Sequence, residues 1–360
     1  MFINFQYLKS IVPGIILALV FCLFSQGINN VLAIEIFGTT KSPISTVLIA
    51  ILLGILMGNA FTPRPGMMIG LDFTQQYILK LGIIFLGIRL SFEELIKFGS
   101  IAIPLIICCI VGVLILVKLL IKKVPISSKM SYLIAIGTSV CGATAIVATA
   151  PVINAKKSEV AYAIANITLF GVIAMIVYPY FAEWYFDNDA LKIGLFLGTS
   201  IHETSQVAAA GLIYDQQFNS PETLNVATVT KLIRNTFLVI LIPLFAFLYN
   251  RGELKGQNYS ILSIFPYFVI GFIGMIIVRN IGDQFFTPNN SSYDLWINLI
   301  GYLKTLATVF LTMAMAAVGI SINLSELKSM GYKPFVVGLI AAVTVGFISL
   351  IYIETLTKFI

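Results

Sequence analysis

The feature that most constrains this chain is its succession of apolar runs, most of them about long enough to cross a bilayer. A helix needs roughly 20 apolar residues to span the hydrocarbon. Eleven such segments can be read, at about 11–33, 44–60, 76–90, 100–121, 131–153, 160–182, 191–214, 224–249, 261–279, 300–320 and 334–357. Only 11% of the 360 residues are charged and 59% are hydrophobic, whereas a soluble domain carries about 25% charged residues. The chain therefore reads as an all-α polytopic membrane protein with about 9–11 transmembrane segments. Connections between the runs are short, so residues 1–360 read as a single membrane domain. The first run follows Lys9 like a signal peptide, but no small-residue cleavage site comes after it, and it is kept as a helix. The polar stretch from Asn280 to Leu299 reads as an exposed loop.

Two stretches break the apolar pattern where hydrocarbon should be. Gly137–Ala150 reads GTSVCGATAIVATA and Gly198–Gly211 reads GTSIHETSQVAAAG, at an offset of 61. Both are dense in small and hydroxyl residues that weaken a helix. A second repeat pairs LGIRLSFEEL (Leu86–Leu95) with VGISINLSEL (Val318–Leu327), at an offset of 232. The matches divide the chain into repeat-related parts at about 44–182 and 191–357. If every run crosses the membrane, the fifth and seventh run the same way, which breaks an inverted-repeat scheme. If both are re-entrant hairpins, every match becomes inverted. The Lys/Arg distribution mildly favours hairpins, with Lys118, Lys122, Lys123, Lys129, Lys156 and Lys157 on one side and the N-terminus cytoplasmic. A helix broken in mid-membrane but still crossing is the competing reading.

In either case Gly137, Gly142 and Gly198 are the expected helix-break positions. Non-helical backbone at membrane depth survives only under cover of protein or water, and half-helix N-termini there can face an anion. Ser139, Thr144, Gln206, Lys231 and Arg234, with Asn166 on the sixth run, are the expected substrate-binding residues. Lys231 and Arg234 stand three apart, hence on one helix face, and an arginine can grip an oxyanion at two points. A lysine there could instead snorkel to an interface or neutralise an acid. His202, the one histidine, and Glu203 beside it are the expected proton- or ion-coupling residues, since ionisable groups at membrane depth default to functional roles. Cys141 aligns with His202 and reads as packing. Arg89, Glu93 and Glu94 end a run and read as an interfacial loop. The four cysteines lack disulfide or metal spacing, and neither cofactor nor metal is expected. The net charge of +6 reads as orientation, not as a nucleic-acid footprint.

The two Gly-Thr-Ser regions, together with TVTKLIRN (Thr228–Asn235), resemble the YeiH-type sulfate exporter family of bacterial membrane proteins. The resemblance covers nearly the whole chain. It implies the bacterial cell membrane and distant kinship with cation–proton antiporters and bile-acid transporters, whose broken helices cross the membrane. His202, Glu203 and Gln206 match the family pattern, while Thr204 and Ser205 stand where it has Val-Ala. The function expected is secondary transport of a small anion such as sulfate or an organic sulfonate, with a proton or sodium ion as coupling partner, lipid as surroundings and a homo-oligomer compatible with the sequence. A cation/proton exchanger, or a non-transporting sensor or scaffold, is the alternative. An intramembrane enzyme is disfavoured, because no motif such as H-E-x-x-H is present.

Overall fold

The computed structural model of the chain describes residues 5–36, 42, 44–61, 64–120, 127–249, 267–288, 292–323 and 332–356. Lys122, Lys123, the first residues of the ninth run and the Leu324–Leu327 tail of the second repeat lie outside them. No strand occurs among the described residues. The helices are α1 (Phe5–Val31), α2 (Thr46–Ala60), α3 (Pro65–Phe73), α4 (Leu79–Leu86), α5 (Phe92–Leu120), α6 (Ser128–Ser139), α7 (Ala143–Thr149), α8 (Lys157–Phe186) and α9 (Ala190–Ser200). They continue as α10 (Thr204–Phe218), α11 (Pro221–Thr236), α12 (Leu238–Tyr249), α13 (Phe268–Phe285), α14 (Tyr293–Ser321) and α15 (Tyr332–Leu356). Eight helical stretches are long and apolar enough to span a bilayer. The protein is thus an all-α polytopic membrane protein.

The chain groups into two compact units, each assembled from several segments. One comprises Met1–Glu94, Leu212–Pro221 and Phe268–Glu326; the other comprises Leu95–Gly211, Glu222–Tyr267 and Leu327–Ile360. In the first unit, glycines let backbones approach closely. A Cβ on Gly70 would collide with the Ile11 carbonyl of α1, and one on Gly54 would lie 2.6 Å from the Ala316 oxygen of α14. Such small-residue contacts replace the hydrophobic effect, which cannot draw helices together in lipid. The 232-residue repeat appears here as matched helix ends. Leu90 N–H donates to the Gly87 carbonyl and Ile322 N–H to that of Gly319, both at 3.2 Å. Arg89 is not a free loop residue: it pairs with Asp215 at 2.9 Å.

The second unit holds the two polar stretches, and both are hairpins. Lys129 at the start of α6 donates to the Asn154 carbonyl, beyond α7, at 2.7 Å. The neighbouring Ser127 hydroxyl bonds the Glu159 carboxylate. Entry and exit therefore lie together, and α7 folds back so that Ile146 meets Gly137. The second hairpin is read through α11. Gly194 and Gly198 of α9 pack on Val226 and Thr230, so α9 and α11 run in parallel. Gly211 of α10 packs on Leu224, and Thr204 bonds Asn235 at 2.9 Å, so α10 runs against α11. Helices α9 and α10 are consequently antiparallel.

Helix α8 sets the hairpins in opposition. At 1.5 Å per residue its length is about 45 Å. The first hairpin leaves into its N-terminal end through Lys156, and the second enters from its C-terminal end through Asp189. Both tips reach its middle, where Ile167 touches Gly137 and Thr168 meets Glu203 and Gln206. The hairpins are inverted, as the repeat arithmetic of that reading requires.

Two expectations need correction. Gly137 and Gly198 lie inside α6 and α9, where they admit close neighbours; the breaks fall at Val140–Gly142 and Ile201–Glu203. Asn280–Leu299 is largely helical, because Asp283 binds Arg279 at 2.6 Å and Trp296 at 2.8 Å and so carries α13 and α14 into the polar stretch. The hairpin geometry predicts that, in a chain lacking its native cysteines, cysteines placed at Lys129 and Lys157 react with an impermeant thiol reagent from one side of the membrane. One placed at Asn188 should react from the other. Labelling of Lys129→Cys and Lys157→Cys from opposite sides contradicts it.

Candidate functional site

The hairpin tips are built by repetition. Helices α6 and α9 end at Ser139 and Ser200, and α7 and α10 begin at Ala143 and Thr204, so both interruptions span equivalent residues. The Val140 N–H donates to Ile136 at 3.1 Å, as that of Ile201 does to Leu197 at 3.3 Å. Gly142 has φ +69°, a left-handed conformation that glycine adopts without cost. It also gives way to its partner tip, since a Cβ there would overlap the Glu203 side chain. At the start of α10 the Glu203 N–H donates to Gln206 Oε1 at 3.2 Å, so the glutamine side chain satisfies a helix-end donor.

Each interrupted helix leaves carbonyls without an intrahelical partner. Two cations on α11 satisfy them. Lys231 Nζ donates to Val140 O at 2.7 Å, to Ile201 O at 3.0 Å and to His202 O. Arg234 donates from Nε to Ser139 O at 2.7 Å, from Nη1 to Thr199 O at 2.7 Å and Ile201 O at 3.0 Å, and from Nη2 to Thr138 O. Val140 and Ile201 are equivalent positions, and so are Thr138 and Thr199. Each cation thus ties the same carbonyl of both repeats. Both side chains are 0% exposed. A lysine ammonium has three protons, and Lys231 spends all three on the backbone.

These contacts place the residues expected from the sequence. Ser139, Lys231, Arg234, His202, Glu203 and Gln206 meet at the tips, and Gly142 lies between them. The expected oxyanion grip of Lys231 and Arg234 is not what their donors make: they hold carbonyls. Lys231 does not snorkel and forms no ion pair with Glu203. Thr144 is exposed in the first turn of α7. Asn166 packs against Gly338 of α15, on another face of α8 from Thr168. His202 is 1% exposed, and neither ring nitrogen meets a described partner in hydrogen-bond geometry, although the Ser200 backbone is close.

The Glu203 carboxylate is the partly exposed acid of the tips. It receives the Ala143 N–H at the start of α7, the Ser205 side chain and, at 3.5 Å, the Thr168 hydroxyl. Gln206 is held by the Thr168 carbonyl at 3.3 Å and lies flat on Gly171. Gly171 and Asn235 escaped the sequence reading. Gly171 sits in an apolar run with no motif around it. Asn235 falls within the recognised Thr228–Asn235 string, one residue beyond Arg234, and could have been found there.

Residues 13–338 match the family described as conserved hypothetical protein 698. A UPF0324 membrane protein of Fusobacterium nucleatum is 33% identical over 322 residues, covering 88% of this chain and 91% of its own length. The UPF0324 inner membrane protein YeiH of Escherichia coli K12 is 33% identical over 306 residues, 82% of this chain and 81% of its own. A UPF0324 membrane protein of Clostridium tetani is 29% identical over 364 residues, 97% of this chain and 99% of its own.

The capping geometry predicts that Arg234→Gln destabilises the protein. A buried polar group left unpaired costs about 1–3 kcal/mol, and Arg234 serves several. A fall in Tm and in folded yield in detergent checks this. Wild-type stability with lost ligand binding would return Arg234 to the contact role expected from the sequence.

Proposed function

The chain belongs to the conserved hypothetical protein 698 (UPF0324) family of membrane proteins, and from that premise we propose that it is a secondary transporter of a small anion, with the hairpin tips as its site. The observation carrying this reading is the charge at the tips. Lys231 and Arg234 contribute two positive charges and Glu203 one negative. Helix ends carry about half an elementary charge each: the C-termini of α6 and α9 and the N-termini of α7 and α10 cancel. The balance is about one positive charge at membrane depth. A cation exchanger would need acids in excess there.

Since the two cations are committed to carbonyls, they act on the anion through their field, and direct contacts fall to the exposed rim. Thr144, Thr168 and Thr204 are the partly or fully exposed hydroxyl residues beside Glu203. The sulfate label of the resembling family makes sulfate and organic sulfonates the first anions to try. Glu203 occupies donors, the Ala143 N–H among them, that an oxyanion would accept equally well. Protonation of Glu203 would free them, which couples the anion to a proton. The proposed setting is a bacterial cell membrane, with the N-terminus on the cytoplasmic side.

Thermal shift against sulfate, thiosulfate and organic sulfonates identifies the anion, because a ligand of the folded state raises Tm by mass action. Counterflow in proteoliposomes then tests transport. Glu203→Gln should bind the anion as tightly as wild type or more so, and its transport rate should vary less with pH. A variant that retains the whole wild-type pH profile removes Glu203 from the coupling, and no counterflow of any anion tried removes the transport reading.

A further inference from the structure

The carbonyls around Lys231 form a cation site in their own right. Three oxygens from two separate chain stretches converge on one ammonium, two of them at 2.7 and 3.0 Å. Such oxygens, pointing from two helix C-termini, are what hard monovalent cations take in place of water. Unused polar groups occur on the residues next in sequence to Val140, Ile201 and Lys231. The hydroxyls of Ser139, Ser200 and Thr230 are buried and meet no described partner. A side chain that merely capped one helix would need carbonyls from that helix alone. Lys231 instead holds the same position of both repeats.

We propose that the tips of the two hairpins enclose a monovalent-cation site that the Lys231 ammonium occupies as a tethered ion. Two consequences follow. The native protein closes its tips without a free cation, so sodium is not the ion that holds them. Truncating Lys231 vacates the site for a free cation of similar size and charge. The inference concerns ion binding and stands whatever the chain transports.

The test compares wild type with Lys231→Ala and Lys231→Met, extracted and melted in choline, sodium, potassium or ammonium chloride at equal ionic strength. Choline is too large to enter and supplies the baseline. Both variants should melt below wild type in choline. At least one small cation should restore half or more of the lost Tm, in a saturable manner, while wild type responds to all four salts alike. Variants indifferent to the cation overturn the proposal, as does a wild type that is itself stabilised by one small cation over choline. Should neither variant be recovered folded in any of the four salts, the site cannot take a free ion and the proposal fails. Because the readout is folding, its failure leaves the anion reading untouched, and a negative counterflow result leaves this one untouched.

Discussion

A helix that stops inside a bilayer must find partners for its last carbonyls, and in this protein two helices stop at one place. Lys231 and Arg234 resolve both ends together. The hydrocarbon supplies no water to do it, and burying two cations without acceptors would itself cost many kcal/mol. Each half of the arrangement removes the penalty of the other. Chains of this kind tolerate interrupted helices only under such mutual satisfaction, and the positions of α8, α9 and α11 follow from it. Helix α11 must run beside α9 to deliver both cations, hence the close contacts at Gly194 and Gly198. Helix α8 must present a flat, polar-tolerant middle to both tips, hence Gly171 under Gln206 and Thr168 beside Glu203.

Much of this was legible because backbone geometry repeats with sequence. The offset of 61 placed both interruptions, and the structure stops α6 and α9, and starts α7 and α10, at equivalent residues. The offset of 232 likewise anticipated the equivalent helix ends at Leu90 and Ile322. Glycines were harder to read. A glycine can break a helix or let a neighbour approach, and the letter is the same. Gly142 does the first, with its positive φ; Gly137 and Gly198 do the second.

The roles of Lys231 and Arg234 were illegible for a different reason. Sequence shows which side chains carry charge, but backbone carbonyls are present at every residue and carry no mark. A buried arginine with nearby hydroxyl residues therefore suggests a ligand contact, whereas the actual acceptors are main-chain oxygens, among them those of Ser139, Thr199 and Ile201. Asp215 was overlooked similarly. Its partner Arg89 lies 126 residues away, and no local pattern joins them.

The two-fold design of the backbone is not matched by the side chains, and this asymmetry bears on how one site can arise from two hairpins. Position 142 is glycine in the first tip and its equivalent, Glu203, is an acid in the second. Two carboxylates could not share that space: a Cβ on Gly142 already overlaps Glu203, and like charges at such separation would not both ionise. Position 141 is a cysteine where the second tip has His202. Both capping cations come from α11, while α8 has no lysine or arginine beyond Lys157. Both repeats thus provide backbone acceptors, the first adds the space at Gly142, and the second provides the charged groups. A symmetric pair would present two weak, mutually repelling sites. The divided pair presents a single acid, at the start of α10 and bonded to the Ala143 N–H at the start of α7.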